Sequence, residues 1–165
     1  MPACLTFVSD ERYLPLTLIA AATAIEASKS RLTIALLSIG VSDPVRRDVE
    51  QFISDHGADV HLVDISENDQ GIDWSALRTM RSGISTATYG RLIAPEVLSD
   101  FDSLLYLDGD MLIDADIQEL LRSPTAHFAA VEALHHSETK PPLYVENPDI
   151  PQPPTNFNAG MCQIN

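Results

Sequence analysis

Two carboxylates stand two residues apart at the end of an apolar run, in Leu104-Leu105-Tyr106-Leu107-Asp108-Gly109-Asp110. In an extended chain, positions i and i+2 project to the same side. Asp108 and Asp110 would therefore share one side, with Gly109 between them letting the backbone turn tightly. Paired hard oxygens of this kind suit Mg²⁺ or Mn²⁺, which keep positions open for phosphate. A bound cation would also offset the cost of holding two carboxylates together. The bare pattern D-x-D is common, and a polar turn after a strand has the same sequence.

Two other motif readings compete for these residues. Asp108, Asp110, Asp114, Asp116 and Glu119 fall at the first, third, seventh, ninth and twelfth places of a calcium loop. Such a loop needs glycine where Ile113 stands, and Leu112 occupies a ligand place, so that reading is rejected. A haloacid-dehalogenase-type phosphatase also ends an apolar strand in D-x-D. That class carries the motif on its first strand, and Leu112 stands where Thr or Val is usual. It remains the alternative enzymatic reading. Arg91, Tyr13, Tyr89, Asn158 and Gly160 each have a plain structural reading when taken singly: a surface ion pair, half-buried aromatic rings, a turn cap and a tight backbone position. His135 and His136 are adjacent, so on a strand they would point to opposite faces and serve poorly as joint ligands. They read as loop residues, and Trp74 reads as a core anchor.

Composition bounds what else the chain can be. It has 165 residues, 45% of them hydrophobic, which suits a globular fold with a substantial core. Lys and Arg number 10 against 24 Asp and Glu, a net charge of −14. That balance argues against a general nucleic-acid binder and against electrostatic docking to anionic membranes. Two cysteines, Cys4 and Cys162, are too few for a disulfide framework or a four-cysteine zinc site. They read as free thiols in a reducing compartment. No apolar run approaches the ~20 residues of a membrane span. The N-terminus lacks a basic leader region, and Asp10, Glu11 and Arg12 interrupt its apolar stretch. The expected location is the cytoplasm, at the membrane periphery if partners bring it there.

The elements that must position the carboxylates alternate between strand and helix. Ala3 to Val8 predicts a buried strand. Pro15 and the Ala/Leu/Ile-rich Leu16 to Ala27 predict a helix. Leu32 to Ile39 predicts a second strand closed by Gly40. Ser42-Asp43-Pro44 opens a helix with Val45, Val49, Phe52 and Ile53 on one face, ended by His56-Gly57. Asp59 to Ile65 alternates as a third strand. Ser66 to Ser85 is polar, with short helical pieces around Ala76 to Arg81. Tyr89 to Leu98 predicts a helix interrupted by Pro95, and Leu104 to Leu107 a fourth strand. Ile117 to Leu121 predicts a short helix behind Asp116, and Phe128 to Val131 a further strand. Glu132 to Asn156, together with Pro124, holds seven of the eleven prolines, and reads as a long loop or lid. Phe157 to Ile164 is a last apolar segment. The pattern predicts an α/β fold, its sheet mainly parallel and flanked by helices. In such sheets ligands bind at the carboxyl ends of strands, where Asp10, Asp108 and Asp110 fall.

Four segments in order now resemble a known family. Val8-Ser9-Asp10 with Tyr13, Thr88-Tyr89-Gly90-Arg91-Leu92, Tyr106-Leu107-Asp108-Gly109-Asp110 and Phe157-Asn158-Ala159-Gly160 are similar to glycosyltransferase family 8. The resemblance runs along essentially the whole chain. It implies the GT-A nucleotide-diphospho-sugar transferase fold, and one nucleotide-sugar-binding domain over 1–165 with the Pro-rich loop at about 132–156. It also implies a retaining hexosyltransferase that moves sugar from a UDP-hexose, with Mn²⁺ or Mg²⁺, to a glycan or lipopolysaccharide-type acceptor. Asp10 matches a residue bonding the uracil, with Val8 and Tyr13 walling the base pocket. Arg91 matches an arginine reaching the donor sugar and diphosphate. Asp108 and Asp110 match the metal ligands, Gly109 lies between them, and Asp108 also approaches the sugar. Asn158, Ala159 and Gly160 match a turn lining the sugar near the reacting centre. The catalytic set implied is Asp108, Asn158 and Arg91. Glu132 falls near an acidic acceptor-side position, by a looser match.

The sequence departs from the family at its end. Members normally continue beyond the Phe-Asn-Ala-Gly segment, and the family's later Asp-Gln pair, metal-completing His and diphosphate-contacting Lys have no counterpart in this sequence. The expected object is therefore a C-terminally truncated GT-A domain with two protein carboxylates for the metal. A catalytically weak nucleotide-sugar-binding fragment is the alternative function. If the last segment is an internal strand, truncation would also leave an exposed edge there. Donor sugar, acceptor, linkage and oligomeric state are not legible in the sequence.

Overall fold

A computed structural model describes residues 2–66, 72–74, 76–77, 85–122, 128–132 and 157–164. The strands are β1 (Ala3–Asp10), β2 (Thr33–Ile39), β3 (Asp59–Asp64), β4 (Ser103–Leu107), β5 (Phe128–Glu132) and β6 (Phe157–Ile164). The helices are α1 (Leu14–Ala27), α2 (Asp43–Asp55), α3 (Ala94–Val97) and α4 (Gln118–Arg122), with a 3₁₀ segment over Thr86–Leu92. The Pro-rich loop, His135-His136 and most of the helical pieces expected around Ala76 to Arg81 lie outside the described residues.

One six-stranded sheet runs in the order β3-β2-β1-β4-β6-β5. β1 pairs in parallel with β2 and β4, and β2 in parallel with β3. β6 is antiparallel to both β4 and β5. The expected mainly parallel sheet is thus present, with an antiparallel strand inserted near one side. β6 lies between two partners, so the exposed edge expected there is covered by β5.

Alternation along the strands makes two cores. Leu5 and Phe7 of β1, Ile34 and Leu36 of β2, and Leu105 and Leu107 of β4 face α1, α2 and α4. Cys4, Val8, Leu37, Leu104 and Tyr106 face the opposite side, with Trp74, Ala87, Ile93, Ala94 and Leu98. β1 to β2 to β3 advances one way across the sheet, and β3 to β4 reverses past them. Right-handed crossovers require the connection to change face at such a reversal, and the 3₁₀ segment and α3 lie on the face opposite α1 and α2. Trp74 anchors that layer as expected: it is buried, and its Nε1–H donates to the Ile65 carbonyl at 2.6 Å.

Local chemistry explains the ends. Gly40 closes β2 with φ +66° and Gly57 follows α2 with φ +91°, conformations that side chains disfavour. Asp116 Oδ1 accepts from the Gln118 amide at 3.1 Å at the start of α4. Two boundaries correct the sequence expectation. β1 extends to Asp10, which pairs with Ile39, so Asp10 ends the strand rather than following it. Pro95 does not interrupt a helix. It lies in the first turn of α3, where a missing N–H costs nothing, and the break falls at Ile93.

Both cysteines are free and buried. Burial pushes the Cys4 thiol up from 9.0 to about 11, against a smaller opposite effect from its contact with Thr6. An unfolded chain therefore loses this proton at lower pH than the folded one. Stability from this group is full below pH 9 and falls as pH rises from 9 towards 11. We expect a loss on the order of 2 kcal/mol at the top of that range. Urea unfolding across it checks this, with Cys4→Ala showing a flatter profile than the wild type.

Candidate active site

A cavity of about 260 Å³ opens at the carboxyl ends of β1 and β4. The two strands are neighbours, and the sheet order turns there, β1 continuing to β2 on one side and β4 to β6 on the other. The strand ends leave a crevice between α1 on one face and the 3₁₀ segment on the other. Val8 and Ser9 come to it from β1, Tyr13 and Thr17 from the start of α1, and Ser85, Ala87, Thr88 and Arg91 from the 3₁₀ segment. Tyr106, Asp108, Gly109 and Asp110 complete the lining from β4 and the turn beyond it.

Asp108 is the most constrained of these groups. Its backbone N–H donates to the Gly160 carbonyl at 2.8 Å, extending the β4–β6 ladder one residue past the strand. The Tyr106 hydroxyl donates to Asp108 Oδ1 at 2.7 Å. Arg91 Nη1 lies 3.7 Å from the same oxygen, and the guanidinium carbon stands 5.1 Å over the centre of the Tyr106 ring. Arg91 is itself steered by Thr88: its Nε donates to the Thr88 carbonyl at 2.8 Å and its Nη2 to the Thr88 hydroxyl. The Asp108 side chain is 39% exposed, so it is held from behind and open to solvent in front. Burial pushes the Tyr106 phenol far above its usual range, and the Asp108 carboxylate adds to this while Arg91 opposes it. Tyr106 is thus a proton donor throughout the physiological range.

Asp110 is exposed, on the turn that follows Asp108. Gly109 between them is required for a reason the sequence did not reveal. Its φ is not positive. Instead a Cβ there would meet Thr17 Oγ1 at 2.3 Å and the Thr17 Cα at 3.2 Å. The turn lies against the first part of α1, and only glycine permits that approach. Thr17 is fixed in turn, its hydroxyl donating to Ser9 Oγ at 3.1 Å. Gly90 has a similar constraint, since a Cβ there would stand 2.6 Å from Val8 Cγ1.

Of the residues singled out from the sequence, Val8, Tyr13, Arg91, Asp108, Gly109 and Asp110 meet at this cavity. Asp10 is beside it and does not line it. One carboxylate oxygen accepts from the Tyr13 amide at 3.0 Å, and the other accepts from the Ser85 hydroxyl. Ser85 also caps the 3₁₀ segment by accepting from the Ala87 amide. Asp10 therefore ties β1, the entry to α1 and the 3₁₀ segment together at the rim. Gly160 is buried on β6 beneath Asp108. Asn158 and Ala159 belong to β6, and their side chains, like that of Glu132, lie outside the described residues.

Sequence reasoning assigned no site role to Thr17, Ser85, Thr88 or Tyr106. For Tyr106 a signal existed: it stands two residues before Asp108 on a strand and must share its face. Thr17 stands one helical turn beyond Tyr13. Ser85 gave none, because nothing local connects it to Asp10 across 75 positions.

Among the described residues, no three His, Cys, Asp or Glu side chains gather as a metal site. The chain's own set is the two carboxylates lining one cavity. That hard-oxygen pair fits a small divalent cation that takes its other ligands from water and phosphate. It does not fit a closed structural site.

The close approach at Gly109 gives a direct test. Gly109→Ala should destabilise the chain by roughly 1–3 kcal/mol through overpacking, lowering its thermal midpoint by about 3–8 °C. Combined with Thr17→Ala, the loss measured by calorimetry should be smaller than the sum of the two single losses.

The description "glycosyl transferase family 8" matches residues 4–165 of the chain. No curated protein matches it. Its fold is similar to that of the galactosyltransferase LgtC, solved with donor and acceptor sugar analogues. The TM-score is 0.79 at 24% identity, over 98% of this chain and 57% of that one. It is also similar to the glycosyltransferase GlyE of Streptococcus pneumoniae TIGR4, with TM-score 0.66 and 18% identity, over 100% of this chain and 34% of that one. The bifunctional glycosyltransferase WbbM follows with TM-score 0.65 and 21% identity, over 99% and 31%. The chain spans less than two thirds of each of these structures, and at such identities the likeness concerns the fold. The match along nearly the full length, on a sheet whose crevice gathers the expected residues, establishes that the chain belongs to glycosyl transferase family 8.

Proposed function

We propose that the chain is the donor-binding part of a metal-dependent, retaining hexosyltransferase. Its donor would be a UDP-hexose and its acceptor a glycan or lipopolysaccharide-type saccharide. It would work in the cytoplasm, at the membrane periphery. No described helix is long and apolar enough to cross a membrane. The observation that carries the reading is the meeting of Arg91, Asp108 and Asp110 on one cavity at a strand-end crevice.

Breaking a glycosyl–diphosphate bond leaves negative charge on the departing phosphate. Arg91 supplies a positive charge that is always present and is already oriented by Thr88. Asp108 and Asp110 would hold Mn²⁺ or Mg²⁺, which when bound acts as a Lewis acid on the diphosphate. The sugar carbon gains positive character as the bond lengthens, and the Asp108 carboxylate is the nearby anionic group that favours it. Val8 and Tyr13 give the cavity an apolar wall and a ring suited to a nucleobase. Asp10, the last residue of β1, would meet the base by exchanging its bond to Ser85. Asn158, Ala159 and Gly160 of β6 complete the proposed sugar side.

Calorimetric titration of UDP with and without Mn²⁺ tests this. Binding should tighten by tenfold or more when the metal is present, and Asp110→Asn should remove most of that gain. A folded chain without metal-dependent binding would remove the donor-site reading. Hydrolysis of p-nitrophenyl phosphate that is lost in Asp108→Asn would instead support a phosphatase.

A further inference from the structure

The face of β4 that carries Asp108 carries one more polar group, and it is buried. Tyr106 is 3% exposed, packed among Cys4, Leu104 and Cys162 in the second core. A phenol in such a position must satisfy its hydroxyl. It does so on the carboxylate two residues ahead, at 2.7 Å. The opposite register places Cys162 of β6 beside it, so the ring is clamped from the neighbouring strand. Arg91 covers the ring's open face at 5.1 Å. A rigid core residue is thereby linked to a partly exposed carboxylate.

We propose that Tyr106 is the positioning residue of the site, its hydroxyl fixing the Asp108 carboxylate so that Oδ2 is left for a divalent cation. The inference rests on the donor-site reading above. Oδ1 is shared between the Tyr106 hydroxyl and, at longer range, Arg91. Both contacts bear on one oxygen, which fixes the rotation of the carboxylate about its last bond. Without that bond the carboxylate would turn freely or be drawn onto Arg91 as a full ion pair. Either outcome lowers its availability to a cation. Groups that hold a metal ligand from behind in this way are worth about 10- to 100-fold in metal affinity.

Tyr106→Phe isolates the hydroxyl, since the ring that fills the core and underlies Arg91 is kept. Two quantities are read in parallel by calorimetry on the full chain: UDP affinity without metal, and UDP affinity with Mn²⁺ present. The expected result is a loss of about tenfold or more in the Mn²⁺-dependent affinity, with metal-free affinity unchanged. A purely packing role for Tyr106 would shift both affinities together or neither. Equal Mn²⁺-dependent affinity in the two proteins would overturn the inference alone. If the wild type shows no Mn²⁺-dependent binding, the donor-site reading falls and this inference falls with it.

Discussion

A carboxylate at the end of a buried strand is the constraint on which the site depends. Asp108 sits where the interior of the sheet meets solvent, and a charge at such a boundary needs partners on its buried side. The residue is held three times: its backbone N–H donates to the Gly160 carbonyl, and its carboxylate meets the Tyr106 hydroxyl and the Arg91 guanidinium. Each partner comes from a different element. β6 must lie beside β4 for the first, β4 must stay regular for the second, and the 3₁₀ segment must cross the opposite face for the third. The sheet order and the layer arrangement are therefore felt at one side chain.

The same economy appears around the cavity's far wall. Asp10 and Thr17 link β1 to α1 by local hydrogen bonds, and Asp10 links it to the 3₁₀ segment through Ser85, 75 positions away. Gly90 and Gly109 allow those segments to approach β1 and α1 closely. The walls of the crevice are thus set by contacts that cost little individually but fail together if the spacing changes. Surface ion pairs such as Arg31–Asp59 lie away from it, and exposed pairs of this kind contribute little to stability.

Much of this was legible beforehand, because the signals were local. Apolar runs, with alternation in the third, located five strands, β6 coincides with the last apolar segment, and proline, serine and glycine marked the helix ends. The acidic pair was visible as a spacing, and the family resemblance gave it a context that spacing alone lacked. What stayed hidden was long-range. Nothing in the sequence said that β6 would insert antiparallel between β4 and β5, since an apolar octamer has no direction. The cause of Gly109 was misread as a turn requirement, because the close approach of Thr17 depends on how α1 packs. Asp10 was expected to face the ligand directly. Its bonds to the Tyr13 amide and Ser85 depend on where the 3₁₀ segment crosses β1, which periodicity does not encode.

The central claim is that a cation with a nucleotide diphosphate binds in the crevice between β1 and β4. Paramagnetic broadening of amide resonances by trace Mn²⁺, recorded with UDP present, tests it most directly. The account predicts that signals from residues 8–10, 106–110 and 160 disappear first, while those of α2 and β3 persist. Broadening centred on the acidic residues of α2 and β3, such as Asp43 and Asp64 around Arg46, would contradict it. That pattern would mean that the chain's negative surface collects cations and that the strand-end pair does not select them.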